Sequence, residues 1–281
     1  MKTFISILEG RAEDAQSLLC IGLDPHLADL STGSGQRLEH PTAESALDFC
    51  LRIVKETADY ALAFKPNAAF FEIFGAEGWT ALKKLIAHIN ALSIPLILDA
   101  KRGDIASTAE AYAKSAFGYL GADAITLNPY LGKDSIDPFI ANAEKGAFLL
   151  CKTSNPGSDD LQNLMVVDVG AQHATPLRLY EYVAKLAQTW NTNNNIGLVV
   201  GATQPEALAK VRVAAPDLWF LAPGVGAQGG DLASALKAGL RKDGLGMLIS
   251  ASRSIARAES PRKSAEALRN AINLVKKEIG L

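Results

Sequence analysis

The stretch GVGAQG at residues 224–229 decides between two folds. It is a literal G-x-G-x-x-G. In a doubly wound dinucleotide fold that fingerprint opens the first strand-to-helix turn, with an acidic residue about 20 positions further on. Here it follows the seventh of eight short apolar runs, and little of the 281-residue chain remains after it. A late position suits a (β/α)8 barrel, whose phosphate sites typically form from the loops after strands seven and eight.

The eight runs are LLCIGLD (18–24), ALAFKPN (61–67), PLILDAK (95–101), AITLNPY (124–130), AFLLCKTS (147–154), IGLVVGA (196–202), WFLAPGVG (219–226) and MLISASRS (247–254). None alternates cleanly with polar residues, as expected of strands covered on both faces in a parallel sheet. Amphipathic stretches at 44–58, 77–91, 107–119, 177–190, 204–214, 231–239 and 261–278 separate or follow them, and 133–144 is a weaker helical interval. The expectation is an α/β protein, one TIM-barrel catalytic domain over residues 1–281. Two longer loops, 31–42 after strand 1 and 153–163 after strand 5, leave the strand ends where barrel sites are built. Either is a candidate lid, and an insertion without a catalytic role explains the first equally well.

Composition narrows the function. A formal net charge of −2, with 48% hydrophobic and 21% charged residues, gives no reason to expect nucleic acid or an anionic membrane as partner. An anionic ligand must then be held by a local site. Cys20, Cys50 and Cys151 are widely spaced in apolar company and read as small buried hydrophobes. The first apolar stretch is short and followed by Glu9, Arg11, Glu13 and Asp14, so it does not read as a secretory leader. No run reaches membrane-spanning length, and the cytoplasm is the expected compartment. His26, His40, His88 and His173 have no ligand spacing, and no metal is assigned. Trp79, Trp190 and Trp219 read as packing residues.

Charge collects where strands end. Residues two apart on a strand point the same way, so Asp99 and Lys101 project together at the top of strand 3. Lys65 ends strand 2 and Asp24 ends strand 1, which sets four charged groups around one mouth. A single buried ion pair closing a barrel end is unremarkable. An array costs several kcal/mol per ion in desolvation unless well paired, so function is the better reason to keep it. Asp104 precedes the helix expected from about residue 107, where Ser107 and Glu110 match a capping box. On the residues alone, starting that helix explains Asp104 best. The glycines of APGVGAQGGD (222–231) let backbone N–H groups approach an anion, Gln228 adds an amide, and Arg253 at the end of strand 8 adds a guanidinium fork. Asp231 reads as a structural helix cap.

With these residues assembled, DAKRGDI (99–105) shows the D-x-K-x-x-D pattern of the orotidine 5′-phosphate decarboxylase superfamily. FKPNAAFFE (64–72), TSNPGS (153–158) and APGVGAQGGD resemble the longer bacterial-type branch of orotidine 5′-phosphate decarboxylase. The resemblance runs from strand 1 to strand 8, with no departure at the matched positions. It implies cofactor-independent decarboxylation of orotidine 5′-monophosphate to UMP and CO2, the last step of UMP synthesis, without cofactor or metal. It further implies that Lys65, Asp99, Lys101 and Asp104 form an alternating catalytic network, with Lys101 protonating C6 and Asp99 against the substrate carboxylate. Asp24 and Lys65 would hold ribose hydroxyls and Ser154 the pyrimidine. Pro223 would line the substrate site, and Gln228 and Arg253 would bind phosphate. Asp104, with Ile105 and Thr108 beside it, would come from the neighbouring subunit of a homodimer, which overrides the helix-start reading. The motif TLNPYLG (126–132) receives no role at Asn128 or Tyr130. The rival readings are a metal-assisted or Schiff-base enzyme acting on keto-sugar phosphates and a non-catalytic sugar-phosphate binder.

Overall fold

The computed structural model describes residues 2–30, 39–167, 176–225 and 231–281. Each apolar run forms a strand: β1 (Leu19–Leu23), β2 (Ala63–Pro66), β3 (Ile97–Arg102), β4 (Ala124–Leu127), β5 (Gly146–Lys152), β6 (Ile196–Val200), β7 (Trp219–Pro223) and β8 (Met247–Ala251). All pair in parallel in one sheet, in chain order from β3 to β8, with β1 between β8 and β2. β2 and β3 meet through parallel bridges of Phe64 with Leu96 and Asn67 with Asp99, which brings the two sheet edges together as a barrel. The strands are buried on both faces over most of their length, which is why their sequences lack alternation.

The flanking helices are α1 (Phe4–Ala15), α2 (Ala43–Thr57), α3 (Gly75–Ala91), α4 (Ala106–Ala113), α5 (Leu179–Trp190), α6 (Pro205–Ala214), α7 (Leu232–Gly239) and α8 (Pro261–Glu278). α4 continues as π-helical turns over Lys114–Leu120 and stops at Gly121, whose φ of 83° suits a glycine. The weak interval after β4 holds only a 3-10 turn, Lys133–Ser135, and the short helix Asp137–Ile140. The helix expected from 177 starts at Leu179, because Leu177–Arg178 pairs antiparallel with Met165–Val166 in a small two-stranded sheet that periodicity did not indicate.

α1 plugs the amino-terminal mouth. Its Phe4, Ile5 and Leu8 are buried, and the Phe4 ring meets Phe148 of β5 edge-to-face at 6.0 Å. The fit requires glycine at the strand starts. A Cβ on Gly146 would lie 2.3 Å from the Phe4 ring, and one on Gly197 would lie 2.5 Å from Phe148. With this end packed shut, chemistry is confined to the other.

Local expectations divide. Asp231 caps α7, accepting from the Ala233 and Ser234 N–H groups at 3.3 and 3.1 Å. The Ser107–Glu110 capping box does not form. α4 begins at Ala106, the N-cap is Ile105 without a side-chain bond, and Ser107 already lies inside the helix. Ala106 takes a left-handed φ of 47°, which turns the chain into the helix one residue earlier than the box requires. Cys20, Cys50 and Cys151 are free and buried, and burial pushes the Cys20 thiol up to about 12. Trp219 is fully buried, while Trp79 and Trp190 pack against the core. Among the described residues no helix is long and apolar enough to cross a membrane.

Candidate active site

The carboxyl-end parts of β2 and β3 bring three charged side chains into contact. Asp99 and Lys65 are buried, and Lys65 Nζ lies 2.9 Å from Asp99 Oδ2. Lys101 Nζ reaches the other oxygen, Oδ1, at 2.6 Å, with its side chain 49% exposed to the mouth. Both groups meet in one place as expected, although not by regular strand alternation: Lys101 takes a left-handed φ of 47° at a slip in the β3–β4 register. Burial opposes charge on Asp99, but the facing Lys65 and Lys101 outweigh it and hold the carboxyl far below the usual range. Burial likewise opposes charge on Lys65, and Asp99, then Asp24, overcome it and raise that ammonium above its ordinary value. The pair is ionised throughout the neutral range.

Asp24, one residue beyond β1, accepts a hydrogen bond from Ser252 Oγ at 2.6 Å through Oδ2. Its Oδ1 is buried and has no hydrogen-bond partner among the described residues, an acceptor suited to a hydroxyl. Gly22 makes this possible, because a Cβ there would sit 2.7 Å from Ser252 Cβ. Ser252, just past β8, was not singled out in the sequence.

The other expected residues occupy further strand ends. Ser154 follows β5 and abuts Gly201 at the exit of β6, where an added Cβ would lie 3.0 Å from Ser154 Cβ. Pro223 ends β7 and is in register with Ser250 of β8. Gly224 takes a φ of 107°, a conformation that favours glycine. Arg253 stands exposed just beyond β8 and forms no ion pair among the described residues. Gln228 lies outside the described residues, as do 31–38 of the first long loop.

Asp104, Ile105 and Thr108 are not part of this cluster. Asp104 Oδ1 accepts the Ile105 N–H at 2.8 Å, and among the described residues its carboxylate pairs with neither Lys65 nor Lys101. Asp104 and Ile105 lie on the turn between β3 and α4, and Thr108 lies exposed in the first turn of α4. Ile105 is 52% exposed, and Tyr130 and Leu131, on the neighbouring turn after β4, are 76% and 48% exposed.

Lys152 and Thr126 also bear on the site, although neither was expected from the sequence. Lys152 ends β5 with a buried ammonium, 2.6 Å from Asp159 Oδ1 and 3.0 Å from Ser158 Oγ. Thr153 and Gln162 exchange two further bonds of 2.9 Å across the same loop. The segment after Ser154 is therefore tied back to its own strand. The only signal was a lysine closing an apolar run with SDD shortly after it. Thr126 of β4 donates from Oγ1 to Asp99 Oδ1 at 2.9 Å.

A parallel barrel with one end sealed and paired lysines and a carboxylate at the carboxyl end of its strands has the form of a TIM-barrel enzyme site. The chain belongs to the orotidine 5′-phosphate decarboxylase / HUMPS family, whose model matches residues 17–268. It is 48% identical over 278 residues to the orotidine 5′-phosphate decarboxylase of Roseiflexus castenholzii, covering 96% of this chain and 97% of that one. The Verminephrobacter eiseniae protein of the same name is 51% identical over 255 residues, 90% of this chain and 89% of its own. The solved structure of Leishmania donovani OMP decarboxylase superposes with a TM-score of 0.85 at 51% identity, covering 98% and 99% of the two chains.

Proposed function

We propose that the protein, acting as one catalytic domain, converts orotidine 5′-monophosphate to UMP and CO2 without metal or organic cofactor. The observation that carries this reading is the Asp99 carboxylate clamped between two ammonium groups at the barrel mouth. Loss of CO2 breaks the bond to C6 and leaves its electron pair in the plane of the ring, where the π system cannot spread it. A cation must meet that charge, and a proton must then form the C6–H bond. Lys101 is the more exposed of the two lysines and supplies both. Lys65 stays buried on Asp99 and fixes it, so that the substrate carboxylate arrives against a carboxylate that is already ionised.

One ammonium at ~4 Å contributes about 4 kcal/mol at an effective dielectric of 20. Barrier reductions of the required size, roughly 20 kcal/mol, therefore need the rest of the preorganised site and binding energy drawn from the phosphate. Both oxygens of Asp99 are already taken by ammonium donors, and a divalent cation would have to displace them. This donor set favours the cofactor-free reading over a metal-assisted one. Asp24, whose Oδ1 has no partner among the described residues, suits a ribose hydroxyl, and Ser154 and Pro223 flank the base. Three free, buried thiols accord with a cytoplasmic location.

The phosphate is assigned to Arg253 with Gln228. Replacing Arg253 with alanine is expected to raise KM by at least about tenfold, the scale of one charge-assisted hydrogen bond, with a smaller change in kcat. Steady-state kinetics check this, and an unchanged KM removes Arg253 from the site.

Asp104 is assigned to a second copy's site, with Ile105 and Thr108. Its outward turn beside exposed Ile105, Tyr130 and Leu131 supports a homodimer contact. Lys101→Ala and Asp104→Ala proteins, each nearly inactive, are expected to regain activity when mixed. A twofold dimer then carries one intact site in each hybrid, about a quarter of parental activity at equal amounts. Absence of regain in hybrids verified by tag exchange assigns Asp104 to its own chain's site.

A further inference from the structure

We propose that Thr126, resting on the functional reading above, is a positioning residue for decarboxylation, aiming Asp99 and shaping the backbone that carries Lys101. β3 and β4 begin in step, Ile97 beside Ala124 and Leu98 beside Ile125, and then slip so that Arg102 faces Leu127. Four steps along β3 are thus matched to two along β4. The surplus is taken up at Ala100 and Lys101, and Lys101 adopts a left-handed φ of 47°, a conformation non-glycine residues hold only under constraint.

The slip would strand two main-chain donors. Thr126 Oγ1 accepts both, from Ala100 N–H at 3.0 Å and from Lys101 N–H at 2.9 Å. A hydroxyl has two acceptor lone pairs and one proton. With both lone pairs engaged, the proton is left for Asp99 Oδ1, 2.9 Å away. The direction of the bond is therefore fixed by the bulge itself. Thr126 is 1% exposed, so water does not substitute for it. One side chain accounts for the orientation of the carboxylate and for the turn that sends the Lys101 ammonium back onto the same oxygen at 2.6 Å. Valine has the same shape but no hydroxyl, serine keeps the oxygen, and alanine lacks it.

The test compares Thr126→Ser with Thr126→Ala, which both lack the methyl group and differ by the hydroxyl alone. Kinetics on orotidine 5′-monophosphate are measured beside the parent, with UMP binding by calorimetry as a report on the intact pocket. Thr126→Ala is expected to lose roughly 10- to 100-fold in kcat relative to Thr126→Ser, the scale of a buried hydrogen bond to a charged group. KM and the UMP Kd should stay within about threefold, because the phosphate grip is elsewhere. Two outcomes overturn the proposal: equal kcat for the two variants beside an active parent, or a loss in Thr126→Ala shared by UMP binding. An inactive parent instead removes the functional reading itself.

Discussion

Replacing Lys101 with alanine is expected to abolish all but a residue of turnover, lowering kcat by about 10⁴-fold or more. General-acid catalysis alone accounts for 10²–10⁴-fold, and the lost ammonium also withdraws electrostatic stabilisation of the C6 carbanion. Binding of UMP should survive, since Lys101 is half exposed and is not assigned to the phosphate. Removing it leaves Asp99 still paired with Lys65 and bonded to Thr126, so the fold is not stressed. Stopped assays with nucleotide separation, read beside calorimetric UMP binding, measure the two quantities. Near-normal turnover in the variant would remove Lys101 as proton donor.

Replacing Asp99 with asparagine is the second large effect, and it strikes stability as well as rate. The amide leaves the Lys65 ammonium buried without its counter-charge, and breaking one side of a buried pair costs about 3–5 kcal/mol. A drop in kcat of at least about 10³-fold should accompany it, because Lys101 loses the group that orients it. The stability gap depends on pH. Asp99 titrates lower in the folded protein than in the unfolded chain, so its contribution is full well above the unfolded value of about 4 and fades as pH falls below it. Lys65 titrates higher when folded, so its contribution is full below the unfolded value of about 10.4 and is lost as pH rises through the folded value. Denaturant melts of parent and variant should therefore differ most between about pH 5 and 9 and converge toward acid. A gap that widens on acidification contradicts the ion-pair assignment.

Much of this is legible in the sequence. The eight strands were visible because each is a short apolar run, and the late GVGAQG argued against the open-sheet alternative by its position. Lys65, Asp99 and Lys101 were legible because charge at the end of an apolar run is costly, while the left-handed turn that actually aims Lys101 at Asp99 was not. Other features were hidden for physical reasons. Thr126 is a β-branched residue inside an apolar strand, so nothing in its own neighbourhood marks it; its role comes from a slip in the strand beside it. α1 was missed because its capping box uses Ser6 with Thr3 in place of the usual acidic or amide partner. The false box at Ser107 matched the template in letters, but the left-handed turn at Ala106 had already started the helix. The outward placement of Asp104 could not be read from spacing at all, and only the family resemblance pointed to a second chain.

The most direct measurement is turnover of orotidine 5′-monophosphate by protein dialysed against a strong chelator, run in D₂O. Ultraviolet absorbance follows loss of substrate, and mass spectrometry reads the product. The cofactor-free mechanism predicts undiminished activity, one CO2 per UMP, and a single deuterium at C6. No UMP formed, or activity that returns only when a divalent metal is added back, would contradict it.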